Sequence, residues 1–454
     1  RQPTGLAAAP AAAAAAASPS ASPPAEPSGG SAEAGAPAAN GAAGKLKAKL
    51  AGIGDFSLLQ KQLEEERKRL QLFVLKAKQD HDEKKDDEAD ATPPETRAKR
   101  EREYFKASFG DACGPGGRFV VEEELGRGVF SSVYRCTDTE LPGREYAIKF
   151  TRKNTMMRKA AEKEVRLMGR LSQEAAQLDP EGARCLLGLC FFQGIEHEGH
   201  LALVFEVMKC DMRAGLLKYG LGKGLPLKPT VRNFGRNIFT ALRVLRRLQV
   251  LHCDVKPENL LLSLDKESVK LADFGAAMPM AERVRTDYMQ PRYYRAPEVM
   301  LGHIYDTQID VWSAGATLFE LSTGSHLFEG ASNNEMLHQM LQVCGKFPVD
   351  FATSGEFSKK HFNAEGAFLN ANGDFSSTSA NPAVAPMATF DQPARPVAQL
   401  LEQALKEPPR GADPARHEGQ VAQLVDLLER CLKPDPARRI TPDDALRQPF
   451  FARG

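Results

Sequence analysis

The chain has 454 residues, of which 26% are charged, and its net charge is +1. A nearly neutral chain creates no bulk field toward nucleic acid or a membrane surface, so we expect neither as a direct partner. The sequence has no apolar run of about 18 residues, and it therefore predicts no transmembrane helix. Its eight cysteines lack the paired spacing of zinc or redox sites, which favours reduced thiols in an intracellular protein.

Residues 1–54 consist mainly of Ala, Pro, Ser and Gly. Such a segment cannot bury enough apolar surface to offset the entropy of ordering, so we predict a disordered leader. Residues 55–105 are dominated by charge and are predicted to form a helix or a charged linker. Two acid–base pairs at i,i+4 spacing support the helix: Glu64 with Lys68, and Glu65 with Arg69.

The predicted helix has only a narrow apolar stripe, made of Leu59, Leu63, Leu70 and Val74. This pattern leaves two interpretations open: a solvated single helix, or a helix that binds a partner or forms a coiled coil. A basic cluster follows at residues 97–102, and it is either a nuclear-import signal or part of a solvated linker.

Residues 118–453 have the patterns of a globular domain. Short strands are predicted at Phe119–Val121, Ser132–Cys136, Glu145–Phe150 and Leu201–Val207. Helices are predicted at Ala160–Leu171, Phe234–Leu248, Asp306–Ser322, Asn334–Leu341 and Val421–Leu432. The strand-rich part, residues 118–207, and the helix-rich part, residues 208–453, predict an α+β fold of two lobes with a cleft between them.

Two short motifs carry the chemistry: residues 252–259 read His-Cys-Asp-Val-Lys-Pro-Glu-Asn, and residues 272–275 read Ala-Asp-Phe-Gly. Asp254 can accept a hydroxyl proton, and Lys256 can steady a travelling phosphoryl group. Asn259 and Asp273 offer the oxygen ligands that Mg²⁺ prefers. An Asp in a loop is most often a turn residue, but the nearby Lys256 and Asn259 favour phosphoryl transfer.

A glycine-containing turn precedes these motifs, in the run Leu-Gly-Arg-Gly-Val-Phe-Ser-Ser-Val at residues 125–133. Gly126 and Gly128 allow backbone N–H groups to approach phosphate oxygens without a Cβ in the way. Alone, the run would equally predict a plain hairpin turn. Lys149 ends the apolar strand that follows, where it could hold nucleotide phosphates and pair with an acid of the next helix. Glu164 is favoured over Glu162 as that acid.

These motifs, with Ala296-Pro-Glu298 following in order, resemble the signature set of eukaryotic protein kinases across the whole globular part. The run Tyr293-Tyr-Arg-Ala-Pro-Glu298 and a long insert at about 331–420 are similar to the CMGC group. Within that group the chain looks most like the spliceosomal pre-mRNA-processing kinases of the dual-specificity tyrosine-regulated branch. Those kinases also have the Gly-x-Gly-Val-Phe-Ser turn and a non-Arg residue before the catalytic Asp, here Asp254.

The resemblance implies a bilobal protein kinase fold with one regulatory helix in the β-rich N-lobe and a larger helical C-lobe. It also implies a monomeric serine/threonine kinase domain that uses ATP and Mg²⁺. Its substrates would be Ser/Thr proteins, with nuclear splicing factors expected, and its location the nucleus, with the cytoplasm as the alternative. Two other functions stay open: a catalytically silent kinase-fold scaffold, and a CMGC kinase with cytoplasmic substrates.

The resemblance further assigns roles to single residues. Asp254, Lys256, Lys149 and Glu164 would be catalytic, Asn259 and Asp273 would bind metal, and Phe205 would be the gatekeeper. The nucleotide would contact Leu125, Gly126, Arg127, Gly128, Val129, Phe130, Ser131, Val133, Ala147, Lys149, Glu206, Met208 and Leu261. Asp310 would anchor the catalytic loop, and Glu298 would form a buried ion pair with Arg439.

Cys253 departs from the general pattern, because most kinases have at that position an arginine that binds a phosphate of the activation loop. Control through that arginine is therefore not expected here. Tyr288 is the candidate phosphorylation site instead, and its phosphate could pair with Arg292 and Arg295. The alternative is an unmodified tyrosine packed in the loop.

Overall fold

The computed structural model describes residues 56–86, 94–191, 194–369, 390–409 and 411–452. The predicted disordered leader, residues 1–54, lies outside the described residues, as does the part of the predicted insert at 370–389. By its internal contacts the chain divides into Arg1–Lys61 and Gln62–Gly454. Residues 56–61 are the described part of the first unit, and they begin a helix.

The described strands are β1 (Ala112–Cys113), β2 (Phe119–Arg127), β3 (Ser131–Asp138), β4 (Glu145–Thr151), β5 (Ile195–His197), β6 (His200–Glu206), β7 (Cys210–Asp211), β8 (Val250–Leu251), β9 (Leu260–Leu262), β10 (Val269–Leu271) and β11 (Met278–Pro279). The described α-helices are α1 (Phe56–Asp86), α2 (Pro94–Arg102), α3 (Thr155–Leu178), α4 (Pro180–Arg184), α5 (Met212–Gly215), α6 (Arg232–Arg247), α7 (Pro297–Leu301), α8 (Gln308–Thr323), α9 (Asn333–Cys344), α10 (Val349–Thr353), α11 (Val397–Ala404), α12 (Pro414–Cys431) and α13 (Pro442–Leu446). Single turns of 3₁₀- or π-helix lie at Pro115–Gly117, Leu216–Gly220, Leu227–Val231, Pro257–Asn259, Phe274–Ala276, Met280–Glu282, Arg292–Tyr294, Ser358–Lys360, Pro436–Arg438 and Pro449–Phe451.

A six-stranded antiparallel sheet forms the N-lobe, in the order β1-β2-β3-β4-β6-β5. It contains all four predicted strands. Side chains alternate between the two faces of a strand, so Ile148 and Phe150 of β4 point to one face and Lys149 to the other. Ile148 and Phe150 are fully buried in a small apolar cluster on their face. Lys149 is thereby directed to the opposite face, toward α3.

The helix α3 crosses the sheet and positions one acid. The side chain of Asn154 caps its N-terminus by accepting from the backbone N–H of Met156 at 2.9 Å. Six of its eight buried residues follow a spacing of three and four: Met157, Ala161, Glu164, Met168, Leu171 and Ala175. This helical periodicity turns Glu164 inward, whereas Glu162 is half-exposed and pairs with Arg158 on the surface.

The C-lobe is helical around α8, whose residues are all buried, as predicted for a helix that is apolar nearly all round. The other predicted C-lobe helices are confirmed as α6, α9 and α12, with bounds that differ by a few residues. Three short strands, β7, β9 and β10, form a second sheet under the cleft. The two-lobed α+β fold is therefore confirmed. None of the helices in the described part of the chain is long and apolar enough to cross a membrane.

Ordered packing begins well before Arg118. The Phe105 ring stacks on that of Phe150 at 4.1 Å between centroids, and its carbonyl accepts from the hydroxyl of Tyr134 at 3.1 Å. Further upstream, the buried side chains of Val74 and Leu75 place α1 against the domain, while Leu63 is 48% exposed. Beyond Lys61, α1 therefore packs on its own chain, which neither interpretation of the narrow stripe anticipated.

Candidate active site

A buried carboxylate fixes the loop that carries Asp254. Asp310, in the first turn of α8, accepts from the backbone N–H of His252 at 2.8 Å and of Cys253 at 2.9 Å. Burial raises the pKa of Asp310 to about 7, although these two N–H groups oppose the rise. The predicted anchoring of the loop by Asp310 is thus seen directly in its hydrogen bonds.

His252 links this loop to the segment that carries Asp273. Its Nε2 donates to the carbonyl of Ala272 at 3.0 Å, and its ring packs edge-on against Phe274 at 5.0 Å. Burial lowers the pKa of His252 to about 4, so the ring is neutral near pH 7. His252 and Phe274 are packing residues that hold the two motifs together.

Cys253 supplies no charge where an arginine is usual. Its side chain is 1% exposed, and burial raises the pKa of its thiol well above the usual range. The residue adopts a left-handed backbone conformation with φ of 65°. The loop therefore contains a neutral thiol at this position, beside the carboxylate of Asp310.

Asp254 lies at the end of this fixed loop as an ionised carboxylate. Burial would raise its pKa, but the ammonium groups of Lys256 and Lys78 outweigh burial and lower it. The Nζ of Lys256 lies 3.2 Å from Oδ1 of Asp254. The amide nitrogen of Asn259 donates to the backbone carbonyl of Asp254 at 2.7 Å. Of the three predicted residues of the motif, Lys256 and Asn259 therefore both contact Asp254.

Lys149 connects the two sides of the cleft. Its Nζ lies 2.9 and 3.1 Å from the two carboxylate oxygens of Glu164, and 3.2 Å from Oδ1 of Asp273. Burial disfavours the ammonium, yet the two carboxylates outweigh it and raise the pKa of Lys149. The structure thus pairs Lys149 with Glu164, the acid favoured from the sequence.

The donor set at Asn259 and Asp273 fits Mg²⁺. Because the Asn259 amide nitrogen is committed to a backbone carbonyl, its oxygen is left as a ligand. Burial tends to raise the pKa of Asp273, but Lys78 and Lys149 hold it well below its usual range, so it is a carboxylate. One carboxylate and one amide oxygen are hard ligands of the kind Mg²⁺ takes alongside phosphates.

The β2–β3 hairpin fits a nucleotide phosphate. Neither Gly126 nor Gly128 has a positive φ, and a Cβ on either would meet no atom within 4 Å. Neither conformation nor packing within the described residues therefore requires glycine there, which suits close approach of a ligand to the backbone. The guanidinium of Arg127 pairs with Glu101 at 2.9 Å.

Residues outside the predicted set hold the tip of this hairpin. The hydroxyl of Tyr104 donates to the carbonyl of Gly128 at 2.8 Å. Arg152 donates to the carbonyl of Val129 at 2.9 Å, and its backbone N–H donates to the carbonyl of Phe130 at 2.8 Å. The one sequence signal for Tyr104 was an aromatic pair, Tyr104-Phe105, in an otherwise charged stretch.

The residues predicted to contact the nucleotide come from both lobes. Ala147 lies opposite Phe205 across the β4–β6 pair, and Leu261 is in β9 of the C-lobe. Ala147, Met208 and Leu261 are partly buried against the main apolar core. The carboxylate of Glu206 is held by Lys270 at 2.5 Å. Among the other predicted contacts, Val129 and Ser131 are buried, whereas Leu125 is 44% exposed.

A lysine that no motif predicted also enters the site. The Nζ of Lys78, on α1, lies 2.6 Å from Oδ2 of Asp254 and 2.7 Å from Oδ2 of Asp273. The two carboxylates therefore face the same small space. The available signal was helical spacing, because Gln71, Val74 and Lys78 fall on one face of α1.

The predicted ion pair of Glu298 and Arg439 is present in the C-lobe. The guanidinium donates to the two carboxylate oxygens at 2.6 and 2.9 Å, and both side chains are completely buried. Arg439 also donates to the backbone carbonyls of Gln308 and Lys433. This pair ties α7, next to the activation segment, to the end of the domain.

Around Tyr288 the activation segment is held by arginine. Arg295 is buried and donates to the carbonyls of Met289 and Gln290 and to the side chain of Asn333. Tyr288 itself is partly buried against the main core. A guanidinium therefore lies against the residue that follows Tyr288.

With this geometry in place, comparison with known proteins identifies the family. Residues 119–451 match the protein kinase domain, and the chain belongs to the protein kinase family. The prediction of a protein kinase domain from the ordered motifs is confirmed.

The relatives refine this assignment. The chain is 36% identical over 337 residues to serine/threonine-protein kinase prp4 of Schizosaccharomyces pombe, covering 74% of this chain and 67% of that protein. It is 31% identical over 348 residues to serine/threonine-protein kinase prpf4B of Dictyostelium discoideum, covering 77% of this chain and 41% of that protein. Human dual specificity tyrosine-phosphorylation-regulated kinase 3 is 29% identical over 344 residues, which cover 74% of this chain and 54% of that protein. The predicted resemblance to serine/threonine kinases of the dual-specificity tyrosine-regulated branch is confirmed.

Proposed function

We propose that this chain transfers the γ-phosphoryl group of ATP to Ser or Thr hydroxyls of protein substrates. The observation that carries the proposal is the meeting of Asp254 and Asp273, whose Oδ2 atoms lie 2.6 and 2.7 Å from a single ammonium group. The Lys149–Glu164 pair adjoins them. These are the groups that phosphoryl transfer needs in one place.

In the proposed reaction Asp254 acts as the base. It orients the substrate hydroxyl and receives its proton, while the hydroxyl oxygen bonds to the γ-phosphorus and the bond to the ADP oxygen breaks. Lys149, held by Glu164, positions the α- and β-phosphates, and Lys256 steadies the γ-phosphoryl group. Mg²⁺ held by Asn259 and Asp273 would neutralise charge on the phosphate oxygens.

Nuclear splicing factors are the proposed substrates. The support is the resemblance of the motifs to pre-mRNA-processing kinases, together with the identity to prp4 and prpf4B. The basic residues 97–102 lie mostly exposed at the end of α2, which agrees with a nuclear-import signal and equally with a solvated linker. A kinase with cytoplasmic substrates is the alternative.

A substrate panel tests this proposal. Transfer of labelled phosphate is measured to an Arg-Ser-rich peptide, a proline-directed peptide and a neutral peptide, each with Mg·ATP and again with ATP plus a chelator. We expect chelator-sensitive transfer to the Arg-Ser-rich peptide above the other two. Transfer to another peptide instead would redirect the substrate assignment, and negligible counts on all three from folded protein would support the silent scaffold.

Phosphorylation of Tyr288 by the chain itself is the second part of the proposal. Arg295 contacts the backbone carbonyl of the following residue, and Arg295 and Arg292 are the proposed partners of a phosphate on Tyr288. We expect protein expressed in a host without tyrosine kinases to carry phosphate on Tyr288 when it is active. An active preparation without that phosphate would refute this part and leave an unmodified, packed tyrosine.

A further inference from the structure

The helix α1 presents one face to the active site from Gln71 to Lys78. Gln71, Val74, Leu75 and Lys78 are spaced i, i+3, i+4 and i+7, which places them on a single helical stripe. The first three are 2%, 3% and 4% exposed. Leu75 belongs to the main apolar core. Lys78 Nζ lies 2.7 Å from Oδ2 of Asp273, so the stripe lies against the segment that carries the proposed metal ligand.

Polar contacts fix the register of this helix. The Gln71 amide donates to the carbonyl of Ala276 at 2.8 Å and accepts from Lys163 of α3. Nearer its start, Glu66 pairs with Lys159 of α3, while Arg67 lies 3.8 Å from Glu282. The helix thus contacts both α3 and the segment after Asp273. These contacts place the following turns of α1, which carry Lys78, at the cleft.

Lys78 is the end point of this arrangement. Its ammonium bridges Asp254 and Asp273 at 2.6 and 2.7 Å, and its side chain is only 13% exposed. The ammonium therefore lies between the base and the proposed metal ligand, in contact with both carboxylates.

We propose that residues 66–78 of α1 form an inhibitory segment, in which Lys78 holds Asp254 and Asp273 against both Mg·ATP and the substrate hydroxyl. Inhibition of phosphate transfer by this segment rests on the proposed kinase function, whereas the contacts of Lys78 do not depend on it. A divalent cation on Asp273 and the Lys78 ammonium repel each other and compete for the same carboxylate oxygen. Because binding is reciprocal, Mg·ATP must also weaken the docking of α1.

Two parts of α1 have opposite effects on the site. Residues 66–71 contact α3 and leave the Lys149–Glu164 pair intact, which supports the site, whereas Lys78 obstructs it. Substituting Lys78 therefore separates the two effects, because the contacts of Glu66 and Gln71 remain.

The test uses the full chain and three variants: Lys78→Met, Lys78→Arg, and Lys76→Met as a control at an exposed lysine of the same helix. Binding of a fluorescent ATP analogue is measured with and without Mg²⁺. We expect Lys78→Met to raise the Mg²⁺-dependent affinity by roughly fivefold or more. Lys76→Met lies outside the site and should match the wild type, whereas Lys78→Arg keeps the charge and should stay closer to the wild type than Lys78→Met.

The rate of amide hydrogen exchange in the wild-type protein gives a second measurement. Mg·ATP should speed exchange of the amides in residues 71–78, since it displaces the helix from the site. Unchanged exchange together with equal nucleotide affinity in the wild type and Lys78→Met would overturn the inference. A lower affinity in Lys78→Met alone would also overturn it, because Lys78 would then assist binding.

Phosphate transfer separates this inference from the proposed function. If Lys78→Met binds Mg·nucleotide more tightly and transfers phosphate faster, both stand. If it binds more tightly but neither protein transfers phosphate to any peptide, the inhibitory contact stands and the kinase function fails. If both proteins transfer and bind equally, the kinase function stands and the inhibitory contact fails.

Discussion

Replacing Asp254 with Asn is expected to lower kcat by roughly 10²- to 10⁴-fold, the contribution typical of a positioned general base. The amide keeps the size of the side chain but cannot accept the hydroxyl proton. The loop should stay in place, because Asp310 binds the backbone of His252 and Cys253 and not the Asp254 side chain. The KM for ATP should therefore change by much less than kcat.

The matched control is Asp265→Asn, which removes a carboxylate from an exposed turn of the same lobe. Steady-state transfer rates of the two variants and the wild type, together with thermal unfolding, check the prediction. A value of kcat for Asp254→Asn within threefold of the wild type, in folded protein, would remove Asp254 from the role of base.

Replacing Arg439 with Met should destabilise the domain by about 3–5 kcal/mol, because it leaves the completely buried carboxylate of Glu298 without its partner. Arg439→Met also removes the donors for the carbonyls of Gln308 and Lys433. Urea unfolding measures the change in free energy.

Arg447→Met is the matched control, since Arg447 is 69% exposed and its ion pair in the described part of the chain is with Asp444 on the surface. It should cost less than about 1 kcal/mol. Glu298→Gln should cost less than Arg439→Met, because the amide oxygen still accepts from the guanidinium. Equal stability of Arg439→Met and Arg447→Met would contradict the assigned burial of the pair.

Sequence reasoning worked where local pattern and chemistry agree. Glu164 could be chosen over Glu162 because helical periodicity places one inward and the other outward, and the structure pairs Glu164 with Lys149. A carboxylate in a helix that is apolar nearly all round must find donors, which predicted a hydrogen-bonded Asp310, but the catalytic loop as its partner was implied by the resemblance to protein kinases. The resemblance also supplied the spacing between Lys149 and its acid.

The position of α1 could not be predicted in this way. Its contacts join residues separated by 176 and 195 positions in the chain, from Lys78 to Asp254 and to Asp273. The stripe of α1 that packs on the domain contains Gln71 and Lys78 as well as the apolar Val74 and Leu75. Its polarity therefore resembles that of a solvated helix. The partners that hold this stripe, among them the carboxylates of Asp254 and Asp273, are brought together by the fold and cannot be read from α1 itself.

The packing of Phe105 on the outer face of the N-lobe sheet has a practical consequence for producing the domain. A fragment that starts at Arg118, where the recognisable motif pattern begins, would uncover the Phe150 ring together with the hydroxyls of Ser132 and Tyr134 that donate to Phe105. An uncovered aromatic surface on a sheet favours self-association. The smallest fragment expected to stay soluble on its own therefore starts ahead of Tyr104, outside the region that matches the family.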